Sequence, residues 1–438
     1  LDAKWESTKD IEKEFSKYLG MPYVKIPDPF GCHESWAEHF AKVWESGIFA
    51  ICGSELEVHS NDYLYNQGKF EPYIILALRK IDLVRNLIAK FQKTKKGSYI
   101  PFDPICENCG KITPKAVSFD LKNKTVKYVC DIKTLAGKYH VEGCGHHGET
   151  NLRDGKLPWS FEWPAQWGIF ATDFEPFGKE HAEGSWPRGV EIAKKIYEIT
   201  PPISHVYEFL LINGKKMSSR EGNVLLAQEM LDIIEPEIFL YFYTKRSKKQ
   251  RNLDITNINH LIEEFEHAER VYFGVDKDKD EKNLIRMYES SMSNISKKPP
   301  FRVPYQFASV VAQTAPDLES AIKILKSTGH IKHELNELDK ENLAQRLSRA
   351  KNWAERFTPH MKFKLNEIVP NEVKHQLTEK QKLAMSDLAV LLRDYPEIKE
   401  DELYEKFNEI RELHTMSTND FFSAAYLTLI SRKNGPRL

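Results

Sequence analysis

"NGKKMSSREGNV", residues 213–224, lies between two apolar runs, "HVYEFLLI" (205–212) and "LLAQEMLDII" (225–234). The first run reads as a buried strand and the second as a helix. Asn213-Gly214 signals a turn. Between turn and helix stand Lys215, Lys216, Ser218, Ser219 and Arg220, three cations and two hydroxyls on a loop. Read blandly, this is a solvated basic turn. On a strand–loop–helix junction it is also suited to oxygens that gain negative charge, such as those of a polyphosphate. A P-loop is excluded, because G-x-x-x-x-G-K-[ST] is absent.

Working outward, residues 155–235 alternate apolar strands with helices such as "VEIAKKIYEI" (190–199), the pattern of an α/β sheet domain. Upstream, "YIILALRKIDLVRNLIAKF" (73–91) has helical spacing and is expected as one helix. Downstream the strand signals fade. "DKDKDEK" (276–282) reads as a solvated loop and "SKKPPFRVP" (296–304) as a Pro-rich linker. Beyond it Leu343, Leu347, Ala350, Ala354 and Phe357 step along one helical face beside Trp353. Thr378 with Gln381 forms a capping box, and Leu403, Phe407 and Ile410 mark a further amphipathic helix. The last third is therefore an all-α bundle. By its spacing Trp353 is a core residue before it is a surface for stacking on bases.

All six cysteines, Cys32, Cys52, Cys106, Cys109, Cys130 and Cys144, fall in the first third of the 438 residues. Clustered with histidines in a large chain without a secretory leader pattern, they favour metal over disulfides and a cytoplasmic setting. "CENCG" (106–110) is a C-x-x-C knuckle whose two thiolates can share one tetrahedral Zn²⁺. Cys130 and Cys144 would close the site, with His146 or His147 as alternatives to Cys144. The surrounding residues 104–150, rich in short β-like runs ("AVSF", "VKYV"), form a small insertion held by metal for want of core. A second set, Asp28, Cys32, His33 and His39 in "DPFGCHESWAEH", offers a carboxylate, a thiolate and two imidazoles around a helix start. Residues alone read these as caps and packed core before they read as ligands.

Lys plus Arg (63) nearly balances Asp plus Glu (64), which argues against a general coat for nucleic acid but allows local basic strips. One such strip is Lys245–Arg251, five cations in seven positions. With 41% hydrophobic residues and no apolar run of ~18, neither a membrane nor DNA is an expected partner.

The Lys-Met-Ser-Ser-Arg loop between strand and helix resembles the signature loop of class I aminoacyl-tRNA synthetases. Longer stretches resemble one family of them, the archaeal-type class I lysyl-tRNA synthetases. These are "YLGMPYVKIPDPFGCHESWAEHF" (18–40), the cysteine module, "LPWSFEWPAQWGIFATDFEPFGKEH" (157–181), "YEFLLINGKKMSSREGNV" (207–224), "ERVYFGV" (269–275) and "GPRL" (435–438). The resemblance implies a Rossmann-type α/β catalytic domain over 1–235 with the zinc-binding insertion at 104–150. A helical stem-contact region (236–298) and an α-helical anticodon-binding domain (299–438) would follow.

It also implies ligation of L-lysine to tRNA(Lys) through lysyl-adenylate, with ATP, Mg²⁺ and Zn²⁺. Lys216 would be the transition-state cation, Ser218 and Ser219 hydroxyl donors, and Lys215 and Arg220 supports. Asp28, Cys32, His33 and His39 become zinc ligands. Trp159, Asp173, Glu175, Gly178, His181 and Tyr207 become lysine and adenylate contacts, although residues alone read Trp159 and Tyr207 as core and Glu175 as a cap.

The family's other signature, His-x-Gly-His after the first strand, has no counterpart. "GCGHHG" (143–148) falls in the cysteine module and "STGHIKHE" (327–334) in the helical region. The parallel sheet is thus expected to be N-terminally incomplete and this chain inactive alone. The alternatives are another class I synthetase, of glutamyl or arginyl type, and a non-catalytic tRNA-binding paralogue.

Overall fold

The computed structural model describes residues 14–52, 56–91, 99–131, 133–135, 139–217, 224–245, 248–396, 398 and 400–435. They form two compact units, one of Leu1–Leu226 with Arg246–Asn252, the other of Ala227–Lys245 with Leu253–Leu438.

The first unit is mixed α and β. Its core packs Phe70 and, from two helices, Ile74, Val84, Leu87 and Ile88 against Leu157, Phe161, Ile192, Ile196 and Tyr197. The two helices, Glu71–Arg79 and Ile81–Phe91, replace the single one expected over 73–91. They break at Lys80, whose ammonium donates to the carbonyls of Lys195 (3.2 Å) and Ile196 (2.9 Å) and pairs with Glu198 at 2.6 Å. A cation there satisfies carbonyls that the end of the 185–197 helical segment leaves bare. Helical periodicity continues through Lys80 because both helices bury the same side.

At the centre of interest is a parallel pair. Strand Phe174–Gly178 runs beside Ile203–Tyr207, in register from Phe174 opposite Ile203 to Gly178 opposite Tyr207. The crossover is made by helix Ser185–Ile192 and the π-turn Ala193–Tyr197. Helix Trp159–Ile169 precedes the pair. The expected single strand 205–212 is two. After Tyr207 the chain leaves the parallel pair, and Leu210–Ile212 forms a separate hairpin with Lys215–Lys216. Asn213 (φ 48°) and Gly214 (φ 77°) turn it, with the two successive positive φ values that a tight two-residue hairpin needs. The alternating apolar pattern is shared by both strands, so it conceals the break at Glu208 and Phe209.

The cysteine-rich insertion is β, as its texture implies. Pro114–Asp120, Thr125–Cys130 and His147–Asn151 make a three-stranded antiparallel sheet, with a small hairpin of Lys133–Leu135 and Tyr139–Val141.

In the second unit the regular structure among the described residues is almost entirely helical. Helix Ala227–Leu231 is shorter than the run 225–234 suggested. Thr378 and Gln381 form the expected capping box, and Asn336 with Asp339 forms another. Trp353 is buried, its indole N–H donating to the Ile255 carbonyl at 2.7 Å, so its spacing correctly marks it as core. The stretch 296–304 is no solvated linker at its end. Arg302 reaches Glu269 at 2.9 Å and Glu237 at 3.2 Å, and Val303 is buried.

Beside it Arg346, only 3% exposed, donates to the Val303 carbonyl at 2.7 Å and to Glu235 at 2.8 Å, and also pairs with Glu266. Burial would neutralise Glu235, but Arg346, Arg302 and Arg349 hold its carboxyl below the usual range. Truncating one member of such a network leaves buried charge unpaired, at a typical cost of ~3–5 kcal/mol. Arg346→Met is therefore expected to shift the urea midpoint of the helical unit sharply down, followed by circular dichroism, whereas surface Lys323→Met leaves it within error.

Candidate functional site

The C-terminal end of the parallel pair is where α/β sheets bind ligands. Here Gly178 stands opposite Tyr207. The 3₁₀ turn Lys179–His181 follows Gly178 directly. Helix Trp159–Ile169 repeats Trp every four residues, so Trp159, Trp163 and Trp167 share one face. Trp159 stacks on Trp163 (centroids 5.2 Å, 16°), and His181 lies 6.1 Å from Trp159 and 5.6 Å from Trp163. Deeper in, Trp163, Trp167, Trp186 and Phe177 pack edge and face against one another. Trp159 and Tyr207 remain 43% exposed at the rim, so both are available surface rather than core.

The structure thus gathers Trp159, His181, Gly178 and Tyr207. Glu175 lies on the same strand one layer below. Its carboxylate accepts the Trp167 indole N–H at 2.9 Å, and burial pushes its pKa above the usual range despite hydrogen bonds from the Trp163 and Trp167 side chains. Asp173 is not part of the group. It sits just before the strand, at the opposite end from Gly178, with its carbonyl bound by Ile203 N–H at 2.8 Å. Trp163, Trp167 and Trp186 escape the sequence reading, although the i, i+4 spacing of the first two with Trp159 is a visible sign of a shared face.

Three residues past Tyr207 begins the hairpin that carries the lysines. The Gly214 N–H donates to the Asn252 side chain at 2.6 Å. Lys215 and Lys216 are exposed on its second strand, and the Lys216 ammonium lies 3.6 Å from the centroid of the Phe209 ring. Ser218, Ser219 and Arg220 lie outside the described residues. In the basic strip 245–251, Lys245 is paired with Glu264, and Arg246 is likewise outside.

Both cysteine and histidine sets converge. Cys106 and Cys144 Sγ are 3.7 Å apart and Cys109 and Cys130 Sγ 3.6 Å, with all four ligand atoms within 4.8 Å of one another. A tetrahedron with metal–sulfur bonds of ~2.3 Å has edges of about 3.8 Å, so four thiolates here fit one ion. The knuckle turn is closed by Gly110 N–H to the Cys106 carbonyl at 2.8 Å, with Gly110 at φ 70°. Thr113 Oγ1 lies 3.0 Å from Cys130 Sγ, and the Asn108 amide donates to Cys144 Sγ at 3.3 Å. Burial pushes Cys109 up to about 12, while the Asn108 and His146 N–H donors pull Cys144 down to about 6. His146 turns instead to Glu107, 2.8 Å away, and His147 is an exposed strand residue opposite Val129.

In the second set Cys32 Sγ is 3.2 Å from Asp28 Oδ2, 3.1 Å from His33 Nδ1 and 3.2 Å from His39 Nδ1. His39 occupies the first turn of helix Trp36–Cys52, with His33 just before it. Asp28 is buried, which alone would raise its pKa. Backbone N–H groups of Phe30 (3.0 Å), Cys32 (2.9 Å) and His33 (2.8 Å) fix the carboxylate and hold it well below the usual range. A permanently ionised, backbone-clamped carboxylate beside a thiol and two ring nitrogens is the donor set of a cation site.

The family model described as "tRNA synthetases class I (K)" matches residues 3–294. A lysine–tRNA ligase of Natronomonas pharaonis is 36% identical over 96% of this chain and 76% of its own. That of Haloarcula marismortui is 38% identical, with the same coverage of each. The lysine–tRNA ligase of Halobacterium salinarum is 35% identical over 100% of this chain and 79% of its own. With half-buried aromatics at a strand end, lysines on the following hairpin and similarity that runs the length of the chain, the protein belongs to the class I (K) family of tRNA synthetases.

Proposed function

We propose that the chain is a lysine–tRNA ligase. It joins L-lysine to tRNA(Lys) at the expense of ATP, through lysyl-adenylate, in the cytoplasm. The observation that carries this reading is that relatives named lysine–tRNA ligase match 96–100% of the chain at 35–38% identity.

In the first step the lysine carboxylate forms a bond to the α-phosphorus of ATP, and the bond to pyrophosphate breaks. In the second, the 2′-hydroxyl of the terminal tRNA adenosine attacks the adenylate carbonyl and AMP leaves. Neither step asks for covalent help from the protein, so positioning and charge stabilisation dominate. Mg²⁺ would accompany the triphosphate and offset part of its charge. Lys216 stabilises the charge that grows on the departing pyrophosphate, with Lys215 beside it and Ser218 and Ser219 as hydroxyl donors. A hairpin that closes as the reaction proceeds would make these contacts best in the transition state. Trp159 and His181 cover the apolar stem of the substrate, which suits a cation on a methylene chain. Tyr207 and Gly178 complete the contacts at the rim, with Glu175 one layer below, whereas Asp173 lies at the far end of the strand and is left out. Helices of residues 236–298 would meet the tRNA stem, and those of 299–438 the anticodon.

Zinc in the two donor sets would lock an insertion and a loop that have little core of their own. Around the four sulfurs the buried cluster is only Cys106, Tyr128 and Cys130. Cys106, Cys109, Cys130 and Cys144 would hold one ion, and Asp28, Cys32, His33 and His39 another.

Two measurements test these assignments. In a thermal-shift panel of the twenty amino acids with ATP, lysine alone should stabilise the chain; a response to glutamate or arginine instead would sink the reading. In a chain that also carries the His-x-Gly-His segment, Lys216→Ala should leave lysine binding unchanged while lowering lysine-dependent pyrophosphate exchange by about 10²–10³-fold, the usual cost of one transition-state donor. For the metals, atomic emission should find two zinc ions per chain. Cys109→Ser and His39→Ala should each remove one, and the double variant both.

A further inference from the structure

Gly178 is glycine for a reason the backbone does not supply. Its φ of −69° and ψ of 149° suit any residue. The space above it is what matters. A Cβ on Gly178 would stand within 2.8 Å of the carboxyl carbon and Oε1 of Glu180, because that side chain folds back across the strand end. Glu180 also faces Tyr207, the residue in register with Gly178. Burial raises the Tyr207 phenol and the negative charge of Glu180 raises it further. The neighbours of Glu180 are otherwise engaged. Lys179 pairs with Glu208 at 2.9 Å, and His181 packs by Trp163 and Trp159. Among the described residues Glu180 has no hydrogen bond or ion pair of its own.

The two other acids near this strand are worse placed to meet a cation. Glu175 accepts the Trp167 indole and is driven towards its neutral form by burial. Asp173 precedes the strand, at the far end from Tyr207 and His181. A carboxylate without a partner among the described residues, facing the half-exposed Tyr207, is the arrangement that a cation on an apolar stem would complete.

We propose that Glu180 is the carboxylate that pairs with the side-chain ammonium of the substrate, and that Gly178 lacks a side chain so that this carboxylate can lie over the strand end. The inference rests on the lysine-ligase reading and names the residue that separates lysine from its uncharged isosteres. The methylenes lie along Trp159, and the ammonium meets Glu180 between Gly178 and Tyr207. The same discrimination disfavours neutral side chains, because they would not supply the charge that pairs with the Glu180 carboxylate.

Isothermal titration of lysine and of 6-hydroxynorleucine, in which a hydroxyl replaces the ammonium, tests this on three proteins. Wild type should prefer lysine. Glu180→Gln should weaken lysine by about tenfold or more, as loss of one partner of a charge pair does, while 6-hydroxynorleucine changes by less than about twofold. Gly178→Ala, whose backbone tolerates alanine, should behave alike with unchanged circular dichroism and melting. If wild type fails to bind lysine, the functional reading falls and the inference with it. If wild type binds lysine and Glu180→Gln binds it equally well, the inference alone is overturned. Equal weakening of both ligands would assign Glu180 to the α-ammonium and overturn it too, and full lysine affinity in Gly178→Ala would remove the role given to glycine.

Discussion

The register of two five-residue strands governs this protein. Parallel pairing of Phe174–Gly178 with Ile203–Tyr207 puts Gly178 beside Tyr207 and sends both chain exits to one end. One exit becomes the turn that carries Glu180 and His181; the other becomes the hairpin that carries Lys215 and Lys216. A slip of one residue would turn every side chain of one strand to the opposite face. Phe177 would then leave Trp186, on which it stacks at 4.5 Å, and Glu175 would leave the Trp167 indole. The aromatic cluster therefore does more than fill volume. It fixes the register, and the register fixes which residues share the rim.

The parts of this arrangement that sequence displays are those encoded locally. The knuckle spacing of Cys106 and Cys109, the capping box at Thr378, the amphipathic face from Leu343 to Ala354 and the buried Trp353 all follow from short-range chemistry, and the structure has them. What sequence hides depends on partners far along the chain. Lys80 breaks a helix because carbonyls 115 residues away need a donor. Arg302 turns the end of a Pro-rich stretch into a buried anchor because Glu237 and Glu269 wait for it. The strand over 205–212 divides because Glu208 is drawn to Lys179 and the chain must enter a hairpin. The same limit applies to the site. Trp159, Tyr207 and His181 are legible only through resemblance. Glu180 is hidden in "FGKEH", since nothing local says that it folds back over a glycine two residues earlier.

The two donor sets illustrate a different economy. Neither the loop 28–39 nor the insertion around Cys106 has a large apolar core. Each is held by polar geometry instead, Asp28 by three backbone N–H groups and Cys130 by Thr113 and the Cys144 N–H. Protonated, the buried thiols would only touch one another, and Cys109 sits far above neutral pH. A divalent ion would favour the thiolate at every position, including Cys106 and Cys109, whose thiols burial pushes up. Metal affinity and local folding are then one free energy. That coupling explains why short β strands suffice here, where a module of this size without metal would be marginal.

The position of Lys216 completes the argument about the hairpin. Its ammonium lies over the Phe209 ring at 3.6 Å, a contact of roughly 0.5–1 kcal/mol at an exposed site. Such a contact gives the ammonium a defined place at the edge of the hairpin. A buried carboxylate partner would hold the lysine by several times as much, and a triphosphate would have to displace it at that cost. A ring contact of that size is weaker than charge-assisted bonds to phosphate, as the role proposed for Lys216 would require. Phe209 also sits at the break between the parallel pair and the hairpin, where the backbone changes partners from Gly178, opposite Tyr207, to Arg251, whose N–H donates to the Phe209 carbonyl. The ring beneath the lysine is thus at the base of the hairpin. A strong resting contact would slow closure, and no contact at all would leave a long, disordered side chain whose ordering entropy falls on the reacting complex. A weak aromatic seat avoids both penalties.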